Sequence, residues 1–136
     1  MTKAAGPGAI PGPGSPTEAE LEILRVLWQQ GPATVRDVHD AVSQTKPVTY
    51  TTVLKQMQVM HQKNLLERSE RYRSHVYRPR QPQAQVQRRL AQSLLARAFG
   101  GSARGLLQSA LAGRRVEAAE IDEIRRLLDE LARRPQ

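Results

Sequence analysis

The order of the hydrophobic patterns constrains this fold most: three helix-like segments precede two short alternating segments. Thr17, with Glu20 three residues later, predicts a capping box that opens the first helix. That helix is predicted to run to Gly31-Pro32. Thr34 predicts the N-cap of a second helix, which ends before Pro47. Apolar residues recur at helical spacing in these two helices: Leu21, Leu24, Leu27 and Trp28, then Val35, Val38 and Val42.

A third helix is predicted to begin near Thr49, and its two faces differ. Its apolar face carries Val53, Met57 and Met60. Its other face is wholly polar, with Thr51, Lys55, Gln58 and Gln62 at i, i+4, i+7 and i+11. Asn64 is the predicted C-cap. The predicted core of this region comprises Leu21, Leu24, Leu27, Trp28, Val38, Val53, Met57 and Met60.

The segments from Leu65 to Glu67 and from Ser74 to Tyr77 are typical of two short strands. The polar residues Ser69-Glu70-Arg71 are the predicted turn of this hairpin. Helix, helix, helix and hairpin together predict a mainly α fold with a small β-hairpin wing. We expect a disordered Gly/Pro-rich tail over 1–16, a winged helix-turn-helix domain over 17–80 and a helical dimerisation region over 81–136.

Three further helices are predicted after Pro82, and their apolar stripes are wide although the region holds a single aromatic residue. Such helices need a surface to pack against, and a second copy of the chain is the simplest one. The sequence therefore predicts a homodimer. The predicted dimerisation residues are Leu90, Leu94, Leu95, Phe99, Leu106, Leu107, Leu111, Ile121, Ile124 and Leu128.

The charge pattern predicts a polyanionic partner. The chain of 136 residues has a net charge of +8, and its pI is about 10.8. The segment from Lys46 to Arg80 contains eight cations and only two acidic residues, Glu67 and Glu70. In a helix-turn-helix protein the last helix reads base edges in a groove about 12 Å wide, and the polar face of the third helix suits this task. Two alternatives stay open: an ordinary solvated helix face, and an interaction module that binds an acidic protein.

Other classes of protein find little support in the sequence. There is no cysteine, which excludes disulfides, thiolate metal sites and thiol nucleophiles. His39, His61 and His75 lack the spacing of paired metal ligands, and Gly100-Gly101 lacks the context of a phosphate loop. We find no signal peptide and no membrane-spanning segment, so we expect a cytoplasmic protein. We also expect that the protein is not an enzyme and needs no metal or cofactor.

The ordered residues resemble the penicillinase repressors of the BlaI/MecI type from about Pro16 to Leu131. Each motif is weak alone, but their order and spacing together are specific. The motifs that carry the resemblance are Pro16-Thr17-Glu18-Ala19-Glu20-Leu21-Glu22-Ile23-Leu24, Leu27-Trp28, Thr34-Val35-Arg36-Asp37-Val38, Tyr50-Thr51-Thr52-Val53, Lys63-Asn64-Leu65-Leu66, Arg73 to Tyr77 and Phe99-Gly100-Gly101-Ser102.

The resemblance implies a homodimeric repressor that binds double-stranded DNA at dyad-symmetric operators, including those of beta-lactamase-type or sensor-protease genes. By position, Thr51, Thr52 and Lys55 match groove-facing residues, while Arg71, Arg73 and Ser74 match wing contacts to the DNA backbone. The full set of predicted DNA-binding residues is Tyr50, Thr51, Thr52, Lys55, Gln58, Gln62, Lys63, Arg71, Arg73 and Ser74. Val59 and Gln62 depart from the family pattern, which often has basic side chains at these positions.

Members of this family are inactivated by proteolysis in the helix after the Gly-Gly-Ser motif, typically at an Asn-Phe pair. The matching positions here are Ser109 and Ala110, so this pair is the candidate regulatory cleavage site. Because Ser109-Ala110 departs from Asn-Phe, a membrane sensor-protease is a predicted partner whose role in induction stays open. A related branch responds to copper through cysteines, which this chain lacks.

Overall fold

The computed structural model describes residues 15–71 and 73–135, which form six helices and one two-stranded antiparallel hairpin. The fold is therefore mainly α with a hairpin wing, as predicted. Residues 1–14 of the predicted tail lie outside the described residues, whereas Pro16, also assigned to the tail, is buried. The elements are α1 (Glu18–Gln30), α2 (Val35–Val42), α3 (Tyr50–Gln62), β1 (Leu66–Arg71), β2 (Ser74–Pro79), α4 (Gln83–Phe99), α5 (Ala103–Leu111) and α6 (Ala118–Ala132).

Local capping interactions explain where the first two helices begin. The Thr17 hydroxyl accepts the Glu20 amide at 3.2 Å, and the Glu20 carboxylate accepts the Thr17 amide at 2.9 Å. Thr34 and Asp37 form the same reciprocal pair at the start of α2. Each box satisfies amide groups that have no partner within the helix, and both predicted starts are confirmed.

The core lies between α1, α2, α3 and the hairpin. Six of the eight predicted core residues are buried, whereas Leu21 and Trp28 pack only partly against the cluster. The sequence pattern missed several other members, notably the strand residues Leu66 and Tyr77. The buried cluster comprises Ile23, Leu24, Leu27, Ala33, Val35, Val38, Val42, Val53, Met57, Met60, Leu66 and Tyr77.

The hairpin turns two residues later than predicted. Arg71 pairs with Ser74, so Ser69, Glu70 and Arg71 belong to β1 and the predicted turn there is wrong. Those polar residues lie on alternating faces of the ribbon and all three are exposed, so this end of the ribbon lies outside the core. Ala33 adds a bridge to β2 through two backbone hydrogen bonds with Tyr77, of 2.8 and 3.0 Å. The ribbon is thereby fixed to the segment that follows α1.

The described chain divides into two compact units, one up to Leu94 and one from Leu95. The predicted boundary at 80/81 lies inside the first unit, which includes the first two thirds of α4. Trp28 Nε1 donates to the Gln81 carbonyl at 3.1 Å, and Val86 of α4 is buried. None of the described helices is long and apolar enough to cross a membrane.

Candidate nucleic-acid interface

Helix α3 presents a polar face because its apolar face is fixed in the core. Val53, Met57 and Met60 are almost completely buried. Since side chains four and seven residues apart share a face, these three residues define the buried face, and the residues on the opposite side point away from the core. The four residues of that side are all exposed: Thr51, Lys55, Gln58 and Gln62. We call them the polar face of α3; it has one cation and no acidic residue.

The N-terminal end of α3 has the chemistry of an anion site. The Thr49 side chain caps the helix by accepting the Thr52 amide at 3.1 Å, and its hydroxyl donates to the Thr52 hydroxyl at 2.9 Å. The first turns of α1 and α2 contain acidic residues, but the first turn of α3 contains none. The partial positive charge of this helix end is therefore not neutralised by a side chain of its own first turn.

His39 holds the turn between α2 and α3. Its Nε2 lies 2.8 Å from the Val48 carbonyl, and since a carbonyl can only accept, this nitrogen carries the proton. The ring also meets Tyr50 edge-on, with centroids 5.9 Å apart. Tyr50 is nevertheless 45% exposed, so one side of its ring is accessible at the start of α3. His39 thus positions the start of α3 from α2.

The tip of the hairpin holds the predicted wing residues together. Arg71 and Ser74 are paired across the two strands, Arg73 lies in the turn, and all three are exposed. Arg73 has φ of 65°, the left-handed conformation that a non-glycine residue adopts rarely. Farther along the ribbon Arg78 donates to Glu67 at 2.8 Å, so that arginine is already paired. Among the described residues no ion pair involves Arg68, Arg71 or Arg73, and the last two of these lie at the tip.

Lys63 is a predicted DNA-binding residue whose side chain forms an ion pair with α1. Its ammonium lies 2.8 and 2.9 Å from the two carboxylate oxygens of Glu20, in the first turn of α1. This contact spans 43 positions in the sequence, and no local spacing indicates it. Lys63 is therefore ion-paired, whereas no ion pair among the described residues involves Lys55, and a phosphate contact by Lys63 stays a prediction.

Comparison with known proteins identifies the family. The sequence profile of the penicillinase repressor family matches residues 16–130. This chain belongs to the penicillinase repressor family. It is 35% identical over 117 residues to the transcriptional regulator BlaI of Mycobacterium tuberculosis, from strain CDC 1551 / Oshkosh and from strain ATCC 25618 / H37Rv. The alignment covers 84% of this chain and 83% of each relative.

A solved structure agrees on the fold. The PcaV transcriptional regulator of Streptomyces coelicolor, in complex with its natural ligand, matches with a TM-score of 0.50 and 18% identity. The match covers 87% of this chain and 75% of that chain. At this identity the likeness shows the winged-helix fold alone. Membership of the penicillinase repressor family makes this protein a DNA-binding transcriptional regulator and not an enzyme.

The C-terminal helices of this penicillinase repressor homologue leave their apolar side chains uncovered. Neither α5 nor α6 contains a buried residue. Of the predicted dimerisation residues, Leu94, Leu107, Ile121 and Leu128 are exposed, and the others are half-buried: Leu90, Leu95, Phe99, Leu106, Leu111 and Ile124. The sequence prediction omitted Leu127 and Leu131, which are 53% and 40% exposed. Ser109 and Ala110 are both exposed and lie near the end of α5.

The positive charge extends beyond the winged region. From Arg71 to Val116 the chain contains ten arginines and no acidic residue. This stretch begins at the wing tip and continues through α4 and α5. The basic part of the sequence is therefore longer than the span from Lys46 to Arg80.

Proposed function

We propose that this protein represses transcription as a homodimer that places α3 of each protomer in the major groove of a dyad-symmetric operator. The observation that carries the proposal is the exposed polar face of α3, whose opposite face is fixed in the core. In such a dimer the two half-sites lie about 34 Å apart on one side of the duplex, which is one helical turn.

The chemistry of the polar face suits base edges. Lys55 can donate to guanine O6 and N7, Gln58 and Gln62 can both donate and accept, and the Thr51 hydroxyl can do either. Helix α3 contains no carboxylate that would repel the phosphates during this approach. The N-terminus of α3, without acidic residues in its first turn, supports a phosphate contact beside the groove.

Arg71 and Arg73 support a second contact at the wing. Both are exposed at the hairpin tip, where a cation can meet the DNA backbone without reading the sequence. Ser74 adds a hydroxyl that can donate to a phosphate oxygen. The wing would therefore contribute affinity and orientation, and α3 would supply the discrimination between sequences.

The uncovered leucines and isoleucines of α5 and α6 support the homodimer. Exposed apolar side chains in rows of this kind mark surfaces that another chain covers. A cut at the Ser109-Ala110 bond would separate α6 from the winged region and remove a large part of this surface. Cleavage by a sensor-protease would then release the operator, although the Asn-Phe pair of the family is absent here.

The test is a binding titration on the duplex upstream of this gene and on a scrambled duplex of equal length. We expect tighter binding to the upstream duplex, and a log-log dependence on salt whose slope reflects the phosphates neutralised. Lys55→Ala and Thr51→Ala should each reduce the preference for the upstream duplex by about 1–3 kcal/mol. Arg126→Ala, which removes a cation from α6, is the control and should retain the preference.

Equal losses on both duplexes for Lys55→Ala and Thr51→Ala would exclude α3 as the reading element. The absence of any salt-dependent binding by the wild type would favour the alternative function, in which the basic surface binds an acidic protein.

A further inference from the structure

The Glu20–Lys63 ion pair joins the first turn of α1 to the end of the recognition helix. Glu20 is 6% exposed and is the one buried charged residue among the described residues. Its carboxylate accepts the Thr17 amide and, through both oxygens, the Lys63 ammonium. A buried carboxylate is stable only when its charge is paired and its oxygens are hydrogen-bonded, and this arrangement meets both conditions.

Lys63 lies at the joint between the two elements proposed to contact DNA. It is the C-cap of α3, and its amide donates to the Val59 carbonyl at 2.9 Å. Asn64 then adopts φ of 64°, and the Leu65 amide returns to the Met60 carbonyl at 2.9 Å. Together with a hydrogen bond from the Asn64 amide to the His61 carbonyl, this is a Schellman motif. The wing strand β1 begins one residue later.

We propose that Glu20 and Lys63 are positioning residues that set the angle between α3 and the wing, and so control operator recognition without touching DNA. The proposal rests on the DNA-binding function inferred above. The start of α3 is held separately, by His39 against the Val48 carbonyl. With the Glu20–Lys63 pair at the other end, the recognition helix is held at both of its termini. Loss of the pair would leave the α3–wing joint held by its local hydrogen bonds, by the Arg80 amide on the Leu65 carbonyl and by the packing of Leu66 in the core.

The alternative role of Lys63, a direct phosphate contact, makes the opposite prediction for Glu20. Lys63 is 38% exposed along its side chain, so a lysine released from Glu20 could reach solvent. If phosphate contact were its role, removal of the Glu20 charge would free the ammonium and strengthen binding to any duplex. If positioning is its role, removal of either partner harms the same property, which is the preference for the operator.

The chain provides a matched control in the Glu22–Lys46 ion pair. Glu22 also lies in α1, and its carboxylate meets the Lys46 ammonium at 2.8 Å. Glu20→Gln and Glu22→Gln thus make the same change in charge on the same helix, and each breaks one ion pair to a lysine. The glutamine at position 20 retains an oxygen that can accept the Thr17 amide, so the helix cap is preserved.

The first measurement needs no DNA: hydrogen exchange of the Leu65 amide, which reports opening of the joint. We expect exchange about tenfold faster than in the wild type for Glu20→Gln and Lys63→Met, and unchanged exchange for Glu22→Gln. Lys63→Arg, which retains the cation, should retain most of the protection. Unchanged exchange in both Glu20→Gln and Lys63→Met would overturn the inference whatever the DNA experiments show.

The second measurement compares affinity for the upstream and scrambled duplexes over a salt series, with the full-length protein. Glu20→Gln and Lys63→Met should each lower the preference about tenfold, comparable to the loss of one weak base contact, without changing the salt slope. The double variant should be no worse than either single variant, because the residues act as one unit. Additive losses would overturn this part of the inference. So would equal losses on both duplexes with a slope shallower by about 1, which is the signature of a phosphate contact.

The two proposals fail in different ways. If the wild type shows no preference for the upstream duplex, the proposed function fails, and a faster Leu65 exchange then limits the ion pair to a role in folding. If the wild type and Lys55→Ala behave as expected but Glu20→Gln retains full preference, only the positioning inference is wrong.

Discussion

Substitution of Leu128 by aspartate tests the homodimer most directly. Ile121, Ile124, Leu128 and Leu131 recur in α6 at i, i+3, i+7 and i+10, which places them along one face of the helix. Leu128 lies in the middle of this row and is 50% exposed. If the row is the centre of a two-fold interface, each Leu128 becomes buried when the second protomer binds.

The expected loss of dimer stability follows from the part of the Leu128 side chain that is exposed in the monomer. Complete burial of a leucine side chain stabilises by about 1.5–3 kcal/mol, so the remaining half of Leu128 is worth about 1 kcal/mol in each protomer. Symmetry doubles this to about 2 kcal/mol. Two carboxylates without partners inside the interface would add at least about 2 kcal/mol more. A total near 4 kcal/mol corresponds to a dimer dissociation constant weakened about a thousandfold.

The assay is mass measurement by light scattering over a range of protein concentrations, followed by titration of a two-site operator and an isolated half-site. Leu128→Asp should be monomeric, retain half-site affinity, and bind the two-site operator about 10²–10⁴-fold more weakly, since the second binding event is no longer intramolecular. Arg126→Ala makes the same change in charge on α6 and should remain dimeric. A monomeric wild type, or a Leu128→Asp variant as dimeric as Arg126→Ala, would refute the reasoning.

Three further predictions concern the wing, the core and the unit boundary. Arg73→Ala should weaken binding to operator and random duplex equally, with a salt slope shallower by about 1, whereas an unchanged slope would remove Arg73 from the interface. Met57→Ala should lower the free energy of unfolding by about 2–5 kcal/mol, because Met57 is fully buried. Denaturant titration measures this free energy, and a smaller loss would contradict the prediction. Truncation after Leu94 should leave a folded monomer that still binds a half-site, whereas truncation after Arg80 removes Gln81 and Val86 and should give a lower melting temperature than truncation after Leu94. Equal melting temperatures for the two truncations would show that Gln81 and Val86 do not stabilise the unit.

The first three helices could be predicted because their signals are local. Thr17 with Glu20, and the amphipathic pattern of α3, involve residues a few positions apart, and the structure places both as expected. The polar face of α3 follows from the same periodicity, since fixing the apolar face determines the opposite one. The strand-like segments predicted the hairpin, and the family resemblance assigned backbone contacts to Arg71, Arg73 and Ser74, which lie at its tip.

The hairpin turn could not be predicted from alternation. Strand β1 has the sequence Leu-Glu-Arg-Ser-Glu-Arg, in which only Leu66 is buried, so the polar run resembles a turn. The strand is held by pairing with β2 and by the Ala33–Tyr77 bridge, neither of which leaves a pattern in β1 itself. The position of the turn was therefore set by contacts between segments.

The difference between Lys55 and Lys63 shows why charge and position along a helix do not suffice to define a DNA interface. Both are lysines on or directly after α3, and the sequence predicted the same role for both. Lys55 is exposed and appears in no ion pair of the described residues, whereas Lys63 meets a buried carboxylate 43 positions away. An ammonium whose charge is balanced by a buried acid attracts a phosphate less strongly, and leaving that acid uncompensated is costly. The availability of a cation for DNA thus depends on the acids that the tertiary fold brings within reach, and Glu20 is such an acid.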